Sequence, residues 1–306
     1  MMKAPIALFV YNRPLHTKRT IESLQKNEFA SESDLFIFSD GPKNEASRAQ
    51  VMDVRKYLAG VNGFKSVTVY ERDENFGLAG SIITGVTEIT NKFGRVIVME
   101  DDLISSPYFL RFMNEGLEFY ENEEKVISVH GYIYPVAAKL PETFFLKGAD
   151  CWGWATWKRG WDLFEADGVK LLEELRSKKL TAEFDLNGAY AYTQMLEHQI
   201  SGKNNSWAIR WHASAFLKEK LTLYSGTSLI HNIGLDESGT HSGTSNEYDV
   251  ELAKVPVKIS KIDLKQSEHA LREIERYRKS CQPAAPTLLA RALNKMRRIF
   301  ASVLKK

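Results

Sequence analysis

The stretch RVIVMEDDL, residues 95–103, runs a short apolar segment straight into three acids, Glu100, Asp101 and Asp102. Val96-Ile97-Val98-Met99 reads as a buried strand. Adjacent carboxylates at the end of such a strand repel one another unless something positive joins them. A solvated turn is the plain alternative, and the surrounding sequence weighs against it.

Upstream, PIALFVY (5–11), DLFIFSD (34–40) and SVTVYER (66–72) read as strands, with helical patterns at 16–27, 44–60 and 78–92 between them. Downstream, Ser106-Pro107 predicts an N-cap and first helical residue for a helix through about Tyr120, and VISVHGY (126–132) is a fifth strand. This alternation predicts an α/β, Rossmann-like, mostly parallel sheet with helices on both faces. Ligands of such sheets lie beyond the carboxyl ends of the strands. Those ends carry Asn12-Arg13, Ser39-Asp40-Gly41, Arg72-Asp73 and the acids, so polar groups from four strands converge on one edge.

The chain has 306 residues, 43% hydrophobic and 26% charged, enough for one large domain or two small ones. A net charge of +2 gives no bulk pull toward nucleic acid, and no nucleic-acid partner is expected. Cys151 and Cys281 are the only cysteines, with no paired spacing for zinc or a disulfide framework, which fits a reducing cytoplasm. The opening MMKAPIALFVYNRP has an apolar run too short for a signal or a span, and no run of about 18 apolar residues occurs anywhere.

The second half changes character. CWGWATWKRGWDLF (151–164) is crowded with tryptophan. Helical patterns follow at 186–200 and 207–219, then two short strands lead into the Gly- and Ser-rich loop NIGLDESGTHSG (232–243). Tryptophan faces suit sugar rings as well as cores. Trp152 and Trp154, beside glycine, are the candidates to line an acceptor. The loop suits a flap that excludes water, from which His241 can reach a metal. From Pro283 the tail contains no acid, and Leu289, Leu293, Met296 and Phe300 share one helical face beside basic residues. Such a helix suits an anionic membrane surface, or equally a partner or its own domain. The expected division is 1–245 as one domain in two halves (1–132 and 133–245), with 246–306 as a helical extension.

For the acids, a divalent cation is the simplest partner, and hard oxygen ligands select Mg2+ or Mn2+. VYNRP (10–14), FSDGP (38–42), ERDENFGLAGSIITGV (71–86) and MEDDL (99–103) together resemble a nucleotide-sugar-dependent glycosyltransferase of the GT-A fold. Within that fold the group around N-acetylglucosaminyltransferase I and its bacterial surface-polysaccharide relatives is the most similar. The resemblance covers roughly residues 4–245 and puts the acids where that fold has its DXD-type motif. It implies a nucleoside diphosphate sugar as donor, with a UDP-sugar favoured, and transfer of a hexosyl or N-acetylhexosaminyl group to a glycan or lipid-linked acceptor. It implies Asp102 as direct metal ligand, with Glu100 and Asp101 holding waters or sugar hydroxyls. Arg13 would pair with the diphosphate, Asp40 with base or ribose, and Arg72, Asn75, Gly77 and Ser81 would admit the nucleotide sugar to the backbone. His241 would join the metal or diphosphate late in the chain. The implied setting is bacterial, cytoplasmic, with possible peripheral contact on the inner membrane face through the tail.

The general base departs from the pattern. Related transferases carry an acid after a tryptophan in the segment matching SWAIRWHAS (206–214), where this chain has Ala208, Ile209 and Arg210. Asp236 in the flap and Asp150 before the tryptophans are the candidates, Asp236 favoured because its loop would close on the site. Arg210 would then face phosphates. A nucleotidyltransferase making activated sugars is the nearest rival enzyme, but YNRPLHTKRT lacks its glycine-rich phosphate loop. A non-catalytic sugar-nucleotide or glycan-binding module is the rival of another class, kept open by the missing acid.

Overall fold

The computed structural model describes residues 2–236 and 246–282. The elements in the first half are β1 (Ile6–Val10), α1 (Pro14–Gln25), β2 (Asp34–Ser39), α2 (Glu45–Leu58), β3 (Ser66–Glu71), α3 (Gly77–Phe93), β4 (Arg95–Glu100), β5 (Leu103–Ser105), α4 (Phe109–Phe119) and β6 (Val126–His130). β7 (Thr143–Lys147), β8 (Trp154–Trp157), α5 (Lys158–Trp161), α6 (Gly168–Ser177), α7 (Thr181–Phe184) and α8 (Tyr192–Ile200) follow. The last are α9 (Trp207–Leu217), β9 (Leu221–Ser225), β10 (Ile230–Asn232) and α10 (Glu268–Cys281).

Eight strands form one sheet in the order β3-β2-β1-β4-β8-β6-β9-β7. The first four are mutually parallel. β8 enters antiparallel between β4 and β6, β9 runs parallel to β6, and β7 closes the edge antiparallel to β9. The sheet is therefore α/β and mostly parallel, as the alternation of strands and helices predicts.

Side-chain alternation splits its core in two. Ile6, Leu8, Ile37, Ile97 and Met99 pack on one face with Ile21 and Leu24 of α1 and Leu110 of α4. Ala7, Phe9, Phe36, Phe38, Val96 and Val98 pack on the other with Ile82 and Val86 of α3 and Trp207 and Trp211 of α9. Strands covered on both faces lose the polar alternation, which is why they read as continuous apolar runs.

Some local expectations shift. The first helix starts at Pro14 rather than residue 16, with proline at its first turn. The Ser106-Pro107 start does not hold: α4 begins at Phe109, and Ser106 Oγ donates instead to the Ala253 carbonyl at 2.7 Å. The same hydroxyl still accepts from the Tyr108 amide at 3.3 Å, so Ser106 keeps a local role while tied to a distant segment. The 186–200 helix is shorter, since Asn187 adopts φ 52 and ψ 40 in a tight turn and α8 starts at Tyr192. Beyond the flap, Ala253 and Val257 pack into the same core as β1 and β4. Of residues 246–282 only Glu268–Cys281 is helical. The flap residues 237–245, His241 included, and the basic tail 283–306 lie outside the described residues.

Candidate active site

After Glu100 the chain turns sharply and re-enters a strand at Leu103, where β5 pairs antiparallel with β10. Asp101 is buried, and its carboxylate accepts from Arg13 Nη2 at 2.5 Å and from the Tyr11 amide at 3.4 Å. The same Nη2 reaches Asp102 Oδ2 at 2.8 Å. Arg13 thus clasps the acids directly, and in this geometry it holds two carboxylates, where the resemblance implied a diphosphate partner. Burial works to lower its pKa, but Asp101 and Asp102 more than offset this and hold the guanidinium charged. Its Nη1 is buried with no partner among the described residues.

One guanidinium does not neutralise three carboxylates. Burial, with Asp102 and Asp101 adding repulsion, pushes Glu100 up to about 8 against the pull of Arg13. Burial likewise pushes Asp101 up to about 6, with Arg13 opposing and Asp102 adding to the rise. The turn holds more negative charge than its partners balance, all of it on hard oxygen. Among the described residues no three His, Cys, Asp or Glu groups converge as a ready ion cage. Magnesium-type sites that share a nucleotide need only one or two carboxylates, because phosphates supply the rest. The donor set and its charge surplus therefore fit a divalent cation.

The near end of the flap seats on this turn. The Ile233 amide donates to the Asp102 carbonyl at 2.8 Å. A Cβ on Gly234 would lie 2.1 Å from Asp102 Oδ2 and 3.0 Å from Arg13 Nη1, so any side chain there would have to displace the Asp102 carboxylate. His16 Nε2, on α1, lies 3.2 Å from the Ile233 carbonyl and 3.1 Å from Asp236 Oδ2. Asp236 is exposed, within hydrogen-bond reach of His16 beside the acid turn.

The second strand end is tightly wired. Asp40 is buried and accepts from the amides of Gly41, Phe76 and Gly77 and from Asn75 Nδ2, at 2.9–3.1 Å. It therefore caps the N-terminus of α3, where amide dipoles favour a carboxylate, and its oxygens are taken up by protein donors rather than held open for a base or ribose. Asn75 also donates to the Gly41 carbonyl. Gly77 has φ +66, a backbone state that favours glycine. Arg72 donates to Ser81 Oγ at 2.6 Å and Thr84 Oγ1 at 2.9 Å, and stacks 4.3 Å from the half-exposed Phe76 ring. Burial lowers its pKa somewhat. Arg13, Asp101 and Asp102 thus form one cluster, and Asp40, Arg72, Asn75, Gly77 and Ser81 a second on the next strands.

The second half sorts the remaining candidates. Because β8 pairs with β4 antiparallel, Trp154 opposite Val98, the residues just before Trp154 arrive beside the acid turn. Burial, then Asp150, Glu100 and Asp102, all push the Cys151 thiol well up, so Asp150 and the acids bear on one group from two sides. Asp150 lines a cavity with Tyr132, Tyr134, Tyr192, His212 and Tyr224. Trp152 is partly exposed, edge-on to Tyr132 at 4.8 Å and Tyr248 at 5.3 Å.

Two expectations fail here. Trp154 is fully buried among Trp161, Trp207 and Trp211, so it is core and cannot line an acceptor. Arg210 is buried and donates to the carbonyls of Ser206 and Ala166, pinning α9 to the turn before α6 rather than facing phosphates.

Sequence reasoning passed over His16, Phe76, Thr84, Gly234 and the tyrosines. The tyrosines left a readable trace in GYIYP (131–135) and AYAYT (189–193), whose alternate tyrosines end with ring centres 5.5 Å and 4.4 Å apart. His16 and Gly234 left none, since their partners are more than 130 residues away in sequence.

Residues 6–139 match the family model described as glycosyl transferase family 2. No curated protein matches the chain. Among solved structures it is similar to mannosyltransferase PcManGT from Pyrobaculum calidifontis, in complex with GDP-Man and Mn2+. That likeness has TM-score 0.32 and 10% identity over 43% of this chain and 36% of that one. It is also similar to S. aureus TarS, with TM-score 0.30 and 15% identity over 47% of this chain and 24% of that one. A likeness that slight carries nothing about substrate. The GT-A glycosyltransferase resemblance holds in the family match over the first half, which contains both polar clusters.

Proposed function

We propose that the chain is a nucleotide-sugar-dependent glycosyltransferase. It moves a hexosyl or N-acetylhexosaminyl group from a nucleoside diphosphate sugar, a UDP-sugar favoured, to a hydroxyl of a glycan or lipid-linked acceptor. The observation that carries the reading is the surplus of negative charge at the β4 end, clasped by Arg13, inside the segment that matches the family. Asp102 and the Glu100–Asp101 turn would hold Mn2+ or Mg2+, which when bound supplies charge stabilisation for the departing diphosphate.

The chain's own groups do the rest. Arg13, already charged and desolvated, sits where negative charge builds on the leaving group, its buried Nη1 the donor left over. Arg72, braced by Ser81 and Thr84, offers a cation and the Phe76 face at the mouth of α3. The acceptor oxygen attacks the anomeric carbon, the bond to the diphosphate breaks with its electron pair, and the acceptor proton passes to a carboxylate. Asp150 is the better base, since it lies in the tyrosine-lined cavity beside the acid turn, whereas Asp236 is exposed and paired with His16.

The setting we infer is bacterial surface-polysaccharide synthesis on the cytoplasmic face of the membrane, with 246–306 as an extension whose tail reaches anionic lipid. Among the described residues no helix is long and apolar enough to cross a membrane. A thermal-shift screen of nucleoside diphosphates with Mn2+ tests the reading. Stabilisation by one nucleotide, lost in Asp102→Ala, supports it; no stabilisation by any nucleotide sinks it. The alternative, a binding module, rests on the absence of an acid at 208–210, and predicts nucleotide binding with neither transfer nor hydrolysis.

A further inference from the structure

Outside the groups used above, the most unusual surroundings belong to Arg278. α10 carries it inward until 8% of the residue is exposed. Its guanidinium carbon lies 4.6 Å from the centre of the Tyr190 ring, 5.1 Å from Tyr248 and 5.6 Å from Tyr134. Glu247 approaches Nη1 at 3.7 Å, beyond hydrogen-bond length. Nε and Nη1 have no hydrogen-bond partner among the described residues. A buried cation with unmade N–H groups is costly, and in a native protein such groups call for a partner.

The box around it is braced. Gln282 donates to the carbonyls of Gly188 and Ala189 and ties the end of α10 to the turn bearing Tyr190. Tyr277 donates to the Glu247 carbonyl, and Tyr132 to the Tyr248 carbonyl. Tyr134 is shared with the cavity that Asp150 lines, and Ile274, one turn before Arg278, lines it too. Lys147, the cation that lines that cavity, is already paired with Glu183 at 2.8 Å, whereas Arg278 meets the cavity only across the shared ring of Tyr134. Nε and Nη1 of Arg278 are thus the cationic donors whose hydrogen bonds remain to be made, with Glu247 the carboxylate that approaches them.

We propose that this box is the acceptor pocket and that it takes an acidic glycan, its pyranose ring against Trp152 and the tyrosine faces and its oxyanion, carboxylate or phosphate, on Arg278. The proposal rests on the glycosyltransferase reading and names the acceptor class. Aromatic faces stack on the apolar side of a pyranose, and an oxyanion completes a guanidinium by charge-assisted bonds. Asp150 then lies on the side of the bound sugar nearest the acid turn, where a hydroxyl needs its proton removed.

Titration of the full chain with methyl glucuronide, glucose 6-phosphate, methyl glucoside and inorganic phosphate, at matched ionic strength, tests this. One acidic sugar is expected to bind roughly ten times more tightly than methyl glucoside. Arg278→Gln should bring the two to parity while nucleoside diphosphate binding stays as in wild type. A response to the glucuronide alone assigns a carboxylate, and one to the sugar phosphate alone assigns a phosphate. Equal binding of acidic and neutral sugars, a preference that survives Arg278→Gln, or inorganic phosphate binding as tightly as the sugar phosphate, overturns the proposal. Should Arg278→Gln fail to fold, the wild-type ranking decides, with Trp152→Ala expected to weaken both sugars alike. Absence of nucleoside diphosphate binding in wild type would sink the enzyme reading instead, and the sugar ranking would still judge the box.

Discussion

At the end of β4 one guanidinium holds two of three adjacent carboxyl groups, and Gly234 closes on them so tightly that a side chain would have to displace the Asp102 carboxylate. In the neighbouring strand, Trp154 pairs with Val98 of that same β4 and is walled in by the rings of Trp161, Trp207 and Trp211. Both groups stand out in the sequence, yet they serve opposite ends. Acids cannot be stored in a core without compensation, so a run of them after a buried strand marks an edge with a partner. A tryptophan is equally content stacked in a core or against a sugar, so its presence locates nothing by itself. Trp152, two residues earlier, keeps some exposure and Trp154 keeps none.

The largest effect expected from this contrast is on stability. Trp154→Ala removes the centre of a four-ring cluster and should cost about 3–5 kcal/mol, read by denaturant unfolding. Acceptor KM of the surviving folded fraction should stay unchanged. A large KM change with intact stability would return Trp154 to the acceptor side. Asp102→Ala should do the reverse, lowering nucleotide-sugar turnover by roughly a hundredfold or more with little change in unfolding midpoint. Turnover within threefold of wild type would break the assignment of the acid edge.

Asp40→Ala separates structural from ligand roles at the second strand end. Loss of the cap on α3 should cost about 1–2 kcal/mol, seen as a lower unfolding midpoint in protein without nucleotide. If the variant is as stable as wild type and only nucleotide binding falls, Asp40 works for the ligand and not the helix.

The smallest effect is a slope. Glu100 and Asp101 sit above their ordinary values, about 8 and about 6. The folded chain therefore keeps protons that the unfolded chain has shed above about pH 4.5, and stability without divalent cation must fall as pH rises from about 5 to about 8. The fall is at most about 1.4 kcal/mol per pH unit for one group. Glu100→Gln should flatten the slope, and Mn2+ should reduce it. A stability that instead climbs over this window would mean the acids are already balanced.

Much of the first half was legible because β1, β2 and β4 are buried on both faces and every strand, the half-exposed β3 included, ends in polar residues. The apolar runs fixed β1 to β4 within a residue or two, and the convergence of Arg13, Asp40, Arg72 and Asp102 followed from strand direction alone. What could not be read was who holds whom. That Asp40 would be spent on amides at the mouth of α3, or Arg13 on the acids themselves, depends on loop geometry that spacing does not encode. In the second half β7 and β8 escaped because antiparallel neighbours are set by long-range pairing, and Trp154-Ala155-Thr156-Trp157 carries no alternation to mark a strand.

The reversal of β8 against β4 has an evolutionary consequence. Because β8 begins at Trp154, and Gly148 and Gly153 tie the preceding segment down through their backbones, Asp150 and Trp152 are held between these anchors without a rung of their own in the ladder. On the proposed function, substitutions at those two positions retune which acceptor is welcomed while the donor's cradle, built from other strand ends, is inherited unchanged.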